Sequence, residues 1–538
     1  MKKFTLVASL LLTAMTTFAD SKFGNWTLNG EETKIDGAAY FMSYYNGVYQ
    51  QCMENTTVAT TDGCCVVTGY GAAGWSMNAT INKIGTTSWS KSIEGVHIVS
   101  AVADNAGGVY VTGNFKSSVT IGDKTLTGYT KDGSNECSAF VAHYDKDGKV
   151  LAANAIVPTI NEEVAAKYQN YGQQDHSVYC NAVKVIFDGT TPYVALTFTD
   201  KLSSADGTKT NISGNYAYEY YGSQFACSTQ SMTVAKLDVE TLGVNDFVLT
   251  VKGNDFSDAS NYGCAVNSSV ASIADGHLYV ASTFKGNGSA NGNIQVGQSD
   301  LVKLSIPLND GGCKAIVLAD VNLSDLSLNY NLYTGSYSWS ADGNGENTVS
   351  DIFASGDDLI VTGTTTSSSL FDNKKVAEGN TDVFVASVKK SGFTSNWSTL
   401  SGFAEGDDNV ERVSSAVVSN GKIYVGAFSA NEPNSSIYKL LTSNLYAINL
   451  ANGTLENIDV TDYVTSFAVD KDGKIGVSSY TNETNALNFG LYTSTATGIS
   501  SVKADKIQNT KIYNLQGQRL SAPVKGQINI VNGKKVMF

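Results

Sequence analysis

Val109-Tyr110-Val111-Thr112-Gly113, followed after an insertion by Ala139-Phe140-Val141-Ala142-His143-Tyr144-Asp145, is the passage that decides the fold. The first run is apolar, β-branched and aromatic. It is reached through a turn at 104–108, before which Val99, Ala101 and Ala103 alternate with their neighbours, so the two segments read as a β-hairpin. The second run enters the turn Asp145-Lys146-Asp147-Gly148, and Lys149-Val150-Leu151-Ala152 resumes as a further strand. Four strands joined in sequence make one unit of antiparallel sheet.

That unit repeats. The returning strand recurs as Cys65-Val66-Val67-Thr68-Gly69, Pro192-Tyr193-Val194-Ala195, Leu278-Tyr279-Val280-Ala281, Leu359-Ile360-Val361-Thr362-Gly363, Ile423-Tyr424-Val425-Gly426 and Ile475-Gly476-Val477-Ser478. With the copy at Val109 this makes seven, at a mean spacing of about 68 residues. Third strands are read at Met232-Thr233-Val234-Ala235-Lys236-Leu237, Asp300-Leu301-Val302-Lys303-Leu304, Val383-Phe384-Val385-Ala386-Ser387-Val388 and Leu445-Tyr446-Ala447-Ile448-Asn449-Leu450. Repeating four-stranded units protect their edges by closing radially, so the sequence predicts an all-β, seven-bladed β-propeller. Six or eight blades stay open, because the first and last copies are the weakest. The seventh lacks a clear final strand, and Phe23-Gly24-Asn25-Trp26-Thr27-Leu28 stands before the first copy without a hairpin partner, placed to close the ring.

Composition agrees. The 538 residues are 42% hydrophobic and 16% charged with Gly 51 and Pro 5, which supports a large turn-rich core and excludes wholesale disorder. The net charge is -14, and Arg412 and Arg519 are the only arginines. Neither a phosphate-tracking groove nor bidentate base readout can be built from that inventory, so nucleic acid is excluded as a partner. An arginine clamp for a sugar carboxylate is excluded with it.

The N-terminus carries an address. Lys2 and Lys3, the apolar run 4–15 and Thr17-Phe18-Ala19 read as a signal peptide over 1–19, which places the mature chain in a secreted or outer cell-surface location. No later run of 18 apolar residues exists, so no transmembrane segment is expected. Eight cysteines, Cys52, Cys64, Cys65, Cys137, Cys180, Cys227, Cys264 and Cys313, suit either disulfides or buried thiols, and their spacings do not suit zinc. No metal site and no cofactor are expected.

The copy spanning 109–151 resembles the repeats of secreted bacterial propeller proteins, whose pattern runs VYVTG, then DAFVAKYD and a glycine turn; the resemblance extends over 39–492 and implies a propeller without fixed catalytic residues. After 492, Thr493-Ser494-Thr495-Ala496-Thr497-Gly498 reads as linker. Ile512-Tyr513-Asn514-Leu515-Gln516-Gly517-Gln518-Arg519-Leu520 and the strand-like run 526–536 resemble the C-terminal tails of exported Bacteroidetes proteins, including the type IX secretion sorting signal; a β-hairpin capping the chain is the plainer reading. The domains are thus a signal peptide (1–19), a propeller (20–492), a linker (493–505) and a sorting-like β tail (506–538). Through the tail, the resemblance implies export machinery as a partner.

Three insertions depart from the repeat. Residues 159–180 hold a Thr159-x-x-Glu162 capping box ahead of a predicted helix. Residues 203–227 carry Tyr216, Tyr218, Tyr220 and Tyr221, and 326–347 carry Tyr330, Tyr333, Tyr337 and Trp339. Flat amphipathic rings suit stacking on sugars or docking against protein, and these eight are the candidate ligand-binding residues; packing of the insertions onto the ring is the alternative. In the first loop two rings are expected outward and two as anchors.

No residue is singled out as catalytic. GxSxG, HExxH and phosphate-loop motifs are absent, and His97, His143, His176 and His277 form no ligand spacing; His277 reads as a solvated turn residue. Asp145-Lys146-Asp147-Gly148 and Asp470-Lys471-Asp472-Gly473 open like calcium loops, but the twelfth positions are Ile156 and Thr481, so both read as tight turns. The sequence therefore points to a secreted or cell-surface scaffold binding carbohydrate or a surface protein without catalysis. The alternative is an extracellular glycoside hydrolase or lyase using carboxylates on one propeller face.

Overall fold

The structure is a computed structural model, and it describes the chain from Lys22 onward except 25, 36–41, 46–47, 52–54, 72–76, 131–136, 168–169, 172–177, 221, 254–263, 287–291, 299–301, 307–314, 335–346, 366–369, 372–381, 402–408, 432–439, 482–485, 495–511, 515–518, 521–526, 532–533 and 538. The signal-peptide reading of 1–19 therefore lies outside the described residues.

Seven antiparallel sheets follow one another along the chain, each built from strands taken in chain order except for the N-terminal strand that completes the last. Blade 1 is Asn55–Thr60, Gly63–Gly71, Met77–Gly85 and Trp89–Glu94; blade 2 is Val96–Ala103, Val109–Phe115, Ser138–Tyr144 and Val150–Ile156. Blade 3 is Cys180–Phe187, Pro192–Phe198, Ser231–Leu237 and Val244–Gly253; blade 4 is Cys264–Ala274, His277–Gly286, Ala315–Asn322 and Leu328–Thr334. Blade 5 is Thr348–Ser355, Asp358–Thr365, Asp382–Lys389 and Ser395–Ser401; blade 6 is Asn409–Ser419, Lys422–Asn431, Leu440–Asn449 and Leu455–Ile458. Blade 7 is Tyr463–Val469, Ile475–Thr481 and Ala486–Ser494, with the N-terminal strand Trp26–Leu28 at its edge. The first strand of each blade touches the first strand of the next, and that of blade 7 touches that of blade 1, so the seven sheets form a closed ring.

The repeated apolar run is explained by burial on both faces. Six of the seven strand positions in Val109–Phe115 are buried, because Val109, Val111 and Phe115 pack toward blade 1 while Tyr110 packs toward blade 3. Among the described residues, six of the seven junctions show an apolar cluster of their own, so a second strand shows a continuous run where a half-exposed strand would alternate. The glycine of the VTG pattern has a separate cause. In six of the seven innermost strands the register slips by a bulge, and Gly113 lies opposite one, where an added Cβ would meet Ile98 Cα at 2.7 Å.

Closure uses the N-terminal segment. Phe23 bridges Val460 and meets Tyr492 edge-on at 5.0 Å, Asn29 N–H donates to Leu491 O at 2.8 Å, and Thr33–Lys34 pairs with Phe489 and Asn488. One strand assignment is corrected. The third strand of blade 4 is Ala315–Asn322 and not the expected run at 300–304, of which 300 and 301 lie outside the described residues; Val302–Ile306 forms a hairpin with Gly292–Gly297 that extends the outer edge of blade 3. As expected, blade 7 lacks a final strand of its own: it has three, the last being Ala486–Ser494, and the N-terminal strand supplies the fourth.

The helix of the first insertion is a single short turn-and-a-half, Glu162–Lys167, with both glutamates in its first turn. Its cap is Asn161, whose carbonyl accepts Ala165 N–H, and not Thr159, which is bridged to Lys201. A second compact unit comprises 25–27 and 494–538. The described part of 495–538 is a four-stranded sheet in the order Arg519–Leu520, Ile512–Tyr513, Ile528–Val531, Lys534–Met537.

Candidate functional site

Strand direction sorts the connections between the two ends of the ring. Connections within the first and second hairpins of a blade fall at one end, and they are tight: 61–62, 104–108, 188–191, 275–276, 356–357, 420–421 and 470–474 join first to second strands. Connections from second to third strands, and from one blade to the next, fall at the other end. That end receives 116–137, 157–179, 199–230, 287–314, 335–347 and 366–381. The insertions at 159–180 and 203–227 therefore leave the ring on that side, as does 335–347; the first part of the third expected insertion is not an insertion, because Leu328–Thr334 is the outer strand of blade 4.

Asp200 organises the described part of that side. It is fully buried in a left-handed conformation, φ 64°, just after the second strand of blade 3. Its Oδ1 accepts Asn161 N–H at 3.0 Å, its Oδ2 accepts Ser228 Oγ at 2.9 Å, and its own N–H donates to Ser213 Oγ at 2.9 Å. One residue thus ties the helical insertion and the tyrosine ribbon through its carboxylate, and the end of the hairpin Lys201–Ser203 with Thr210–Ile212 through its backbone N–H.

The ribbon pairs Asn215–Tyr220 with Ser223–Ser228, and Asn170–Tyr171 adds a parallel third strand beside Phe225 and Ala226. Positions 216, 218 and 220 lie on one face, opposite 227, 225 and 223, while Ala226 on the other face is buried. The register thus puts three of the four expected positions on one face of the ribbon; Tyr221 lies outside the described residues. Tyr330 and Tyr333 sit on the outer strand of blade 4 and pack into two different clusters, those of the blade 3/4 and blade 4/5 junctions. Tyr333 lies 4.5 Å from Phe371, and its hydroxyl donates to Phe393 O. Neither joins the ribbon, and Tyr337 and Trp339 lie outside the described residues.

Among the described residues, the buried acids are Asp200, Asp382, Glu411 and Asp462, and every one sits at the insertion end. Glu411 Oε2 accepts Val383 N–H at 3.2 Å, and Asp462 is 2.8 Å from Lys22 Nζ. Burial opposes the Lys22 ammonium, but hydrogen bonds and charge from Asp462 and Glu32 outweigh it and raise its pKa.

The tight-turn end carries a layer that sequence reading missed, in which a turn or strand carboxylate meets a basic side chain of the same blade, in blades 1, 2, 4 and 5. Asp62 pairs with the buried Lys83 at 2.9 Å, Asp104 with His143 at 2.8 Å, Asp320 with His277 at 2.7 Å and Asp358 with Lys389 at 2.6 Å. His277 is consequently a strand residue held by Asp320, not a solvated turn residue; the cross-strand pairing was invisible in the sequence. The two calcium-like loops are matching Asx turns: Asp145 Oδ1 accepts Asp147 and Lys149 N–H, and Asp470 Oδ1 accepts Asp472 and Lys474 N–H. Among the described residues, no group of three or more His, Cys, Asp or Glu is placed to hold a metal ion, and no helix is long and apolar enough to cross a membrane.

No family model matches the chain, and no curated protein matches it. Solved structures with a similar arrangement include Kuenenia stuttgartiensis hydrazine synthase, 10% identical, covering 83% of this chain and 98% of that one at a TM-score of 0.37. An exo-β-1,3-galactanase from Clostridium thermocellum is 10% identical, with 87% and 97% covered and a TM-score of 0.28. A B. megaterium levansucrase mutant is 12% identical, with 72% and 94% covered and a TM-score of 0.31.

Proposed function

We propose that the chain is a secreted or cell-surface binding scaffold, whose insertion-bearing end docks a carbohydrate or a surface protein. The observation that carries this is the segregation of the connections: one end of the ring is trimmed to tight turns, and the other gathers every long insertion, with the tyrosine ribbon fixed among them by Asp200. A rigid ring presenting loops from several blades on one side is the arrangement by which scaffolds form extended recognition surfaces. In this proposal the leader at 1–19 directs export, and the tail from 506 addresses the chain to a type IX machinery of the Bacteroidetes kind.

A second reading, an extracellular glycoside hydrolase or lyase, is favoured by the confinement of the buried acids Asp200, Asp382, Glu411 and Asp462 to that same end. One screen separates the two. The full chain is incubated with soluble and insoluble polysaccharides, and both retention and the release of reducing ends are measured. Retention without release supports the scaffold, and release supports the enzyme. Absence of both leaves a surface protein as the partner to be sought by cross-linking on intact cells, and failure there overturns the proposal.

A further inference from the structure

We propose a second binding site at the opposite, tight-turn end: a notch between blades 5 and 6 that takes one neutral pyranose unit against Trp397. The cavity measures about 320 Å³ and is lined by Asp358, Lys389, Asn396, Trp397, Leu450 and Asn452. That volume lies at the small end of the range for small-molecule sites.

The platform is held in place. Trp397 Nε1 donates to Leu450 O at 3.0 Å, Thr399 Oγ1 beside it donates to Gly453 O at 2.7 Å, and Gly453 stands so close that an added Cβ would meet the indole at 2.6 Å. Asn396 Nδ2 donates to Ser387 Oγ at 3.1 Å, which orients the amide and leaves its Oδ1 as an acceptor. Asn452 Oδ1 accepts Thr454 N–H, leaving its amide N–H₂ as donor. The Asp358–Lys389 pair adds an acceptor and a donor with no net charge. A fixed indole, two oriented amides and a neutralised ion pair match the apolar face and hydroxyl rim of an uncharged sugar and disfavour an anion or a cation.

The blade 1/2 junction supplies an internal control. Trp89 there makes the same latch, Nε1 to Lys146 O at 2.9 Å, with Gly148 against its ring. The third-strand position that faces the next blade is Lys83, which reaches Lys146 O at 3.2 Å, whereas in blade 5 that position is the small Ser387. Beside Trp397 the serine leaves the space that the Lys83 side chain takes beside Trp89.

The test uses the full chain with methyl glycosides of glucose, galactose, mannose and xylose at about 10 mM, read by saturation-transfer NMR and titration calorimetry. Binding by the wild type of at least one glycoside, weakened tenfold or more in both Asn396→Ala and Ser387→Lys, is the expected result. Asn396 is exposed, so its variant stands as the test if Ser387→Lys does not fold. No binding of any of the four, or binding that both folded variants retain, overturns the proposal.

Discussion

Lys184 Nζ lies 2.6 Å from Asp351 Oδ1, an ion pair that joins the innermost strands of blades 3 and 5 and skips that of blade 4. Both residues sit at the bulges of their strands, where the register slips after Ala182 and after Val349. The bulge that admits the VTG glycine thus also turns polar side chains toward the middle of the ring. Lys184→Met keeps the aliphatic stem and removes the charge. It should cost about 1 kcal/mol of stability, less at high salt, because both side chains keep roughly a quarter to a third of their surface. A double-mutant cycle with Asp351→Asn measured by denaturant unfolding checks this, and additive single losses would show that the pair contributes nothing.

Ring closure depends on Phe23, fully buried at the edge of blade 7. Phe23→Ala should destabilise by about 3 to 5 kcal/mol through lost burial and the cavity left against Tyr492. Hydrogen exchange should show the loss concentrated in Ile475–Thr481 and Ala486–Ser494. Protection unchanged in those strands would mean that the ring closes without this segment.

How much of this was readable follows from which contacts are local. The second strands were legible because two-sided burial writes a continuous run, as at Val109–Phe115. Val302–Ile306 was misassigned because an edge-extending hairpin alternates just as a blade strand does, and only pairing with Val244–Gly253 distinguishes them. Asp104 and His143 are 39 residues apart, and Trp397 meets a turn of the next blade, so the layer of carboxylates on basic side chains and the indole latches have no local pattern to betray them. The insertions were visible as departures from the repeat; that they share an end follows from counting strands, and their anchoring by Asp200 does not.

The two latches make a graded prediction. At Gly148, φ 80°, an added Cβ would meet Trp89 at 2.8 Å, and at Gly453, φ 70°, it would meet Trp397 at 2.6 Å, whereas Gly392, φ 74°, has nothing within 4 Å. Alanine at Gly392 should cost about 1 kcal/mol from backbone strain alone. At Gly148 or Gly453 the clash adds to that strain, for a total of about 2 to 4 kcal/mol, with displacement of the indole. Equal melting temperatures for the three variants would show that the indoles yield freely.

The described thiols should be sluggish nucleophiles. Burial pushes Cys137 up to about 11 and Cys64 up to about 12, with the charge of Asp470 adding to the latter. A raised pKa keeps the reactive thiolate scarce below it, about one part in a thousand for Cys137 at about pH 8. Alkylation of Cys137 in the native chain, followed by peptide mass spectrometry, should accelerate about tenfold per pH unit from about pH 8 to 10. A plateau near the ordinary thiol pKa would contradict the burial seen here.

The tyrosines divide into a pair of opposite expectations. Tyr333 is committed to the blade 4/5 junction through Phe371 and the carbonyl of Phe393, so Tyr333→Phe should lower stability by about 1 kcal/mol and leave ligand retention untouched. Tyr218 occupies the middle of the ribbon face that also carries positions 216 and 220. Tyr218→Ala, alone or with Trp339→Ala, should weaken retention of whichever polysaccharide the screen selects by about 1 to 3 kcal/mol with little change in melting temperature. The logic is that a ring used for packing reports in stability, while a ring used for docking reports in affinity. If Tyr218→Ala instead lowers the melting temperature and leaves retention unchanged, the ribbon is a structural brace, and the docking surface must be sought among the other insertions at that end.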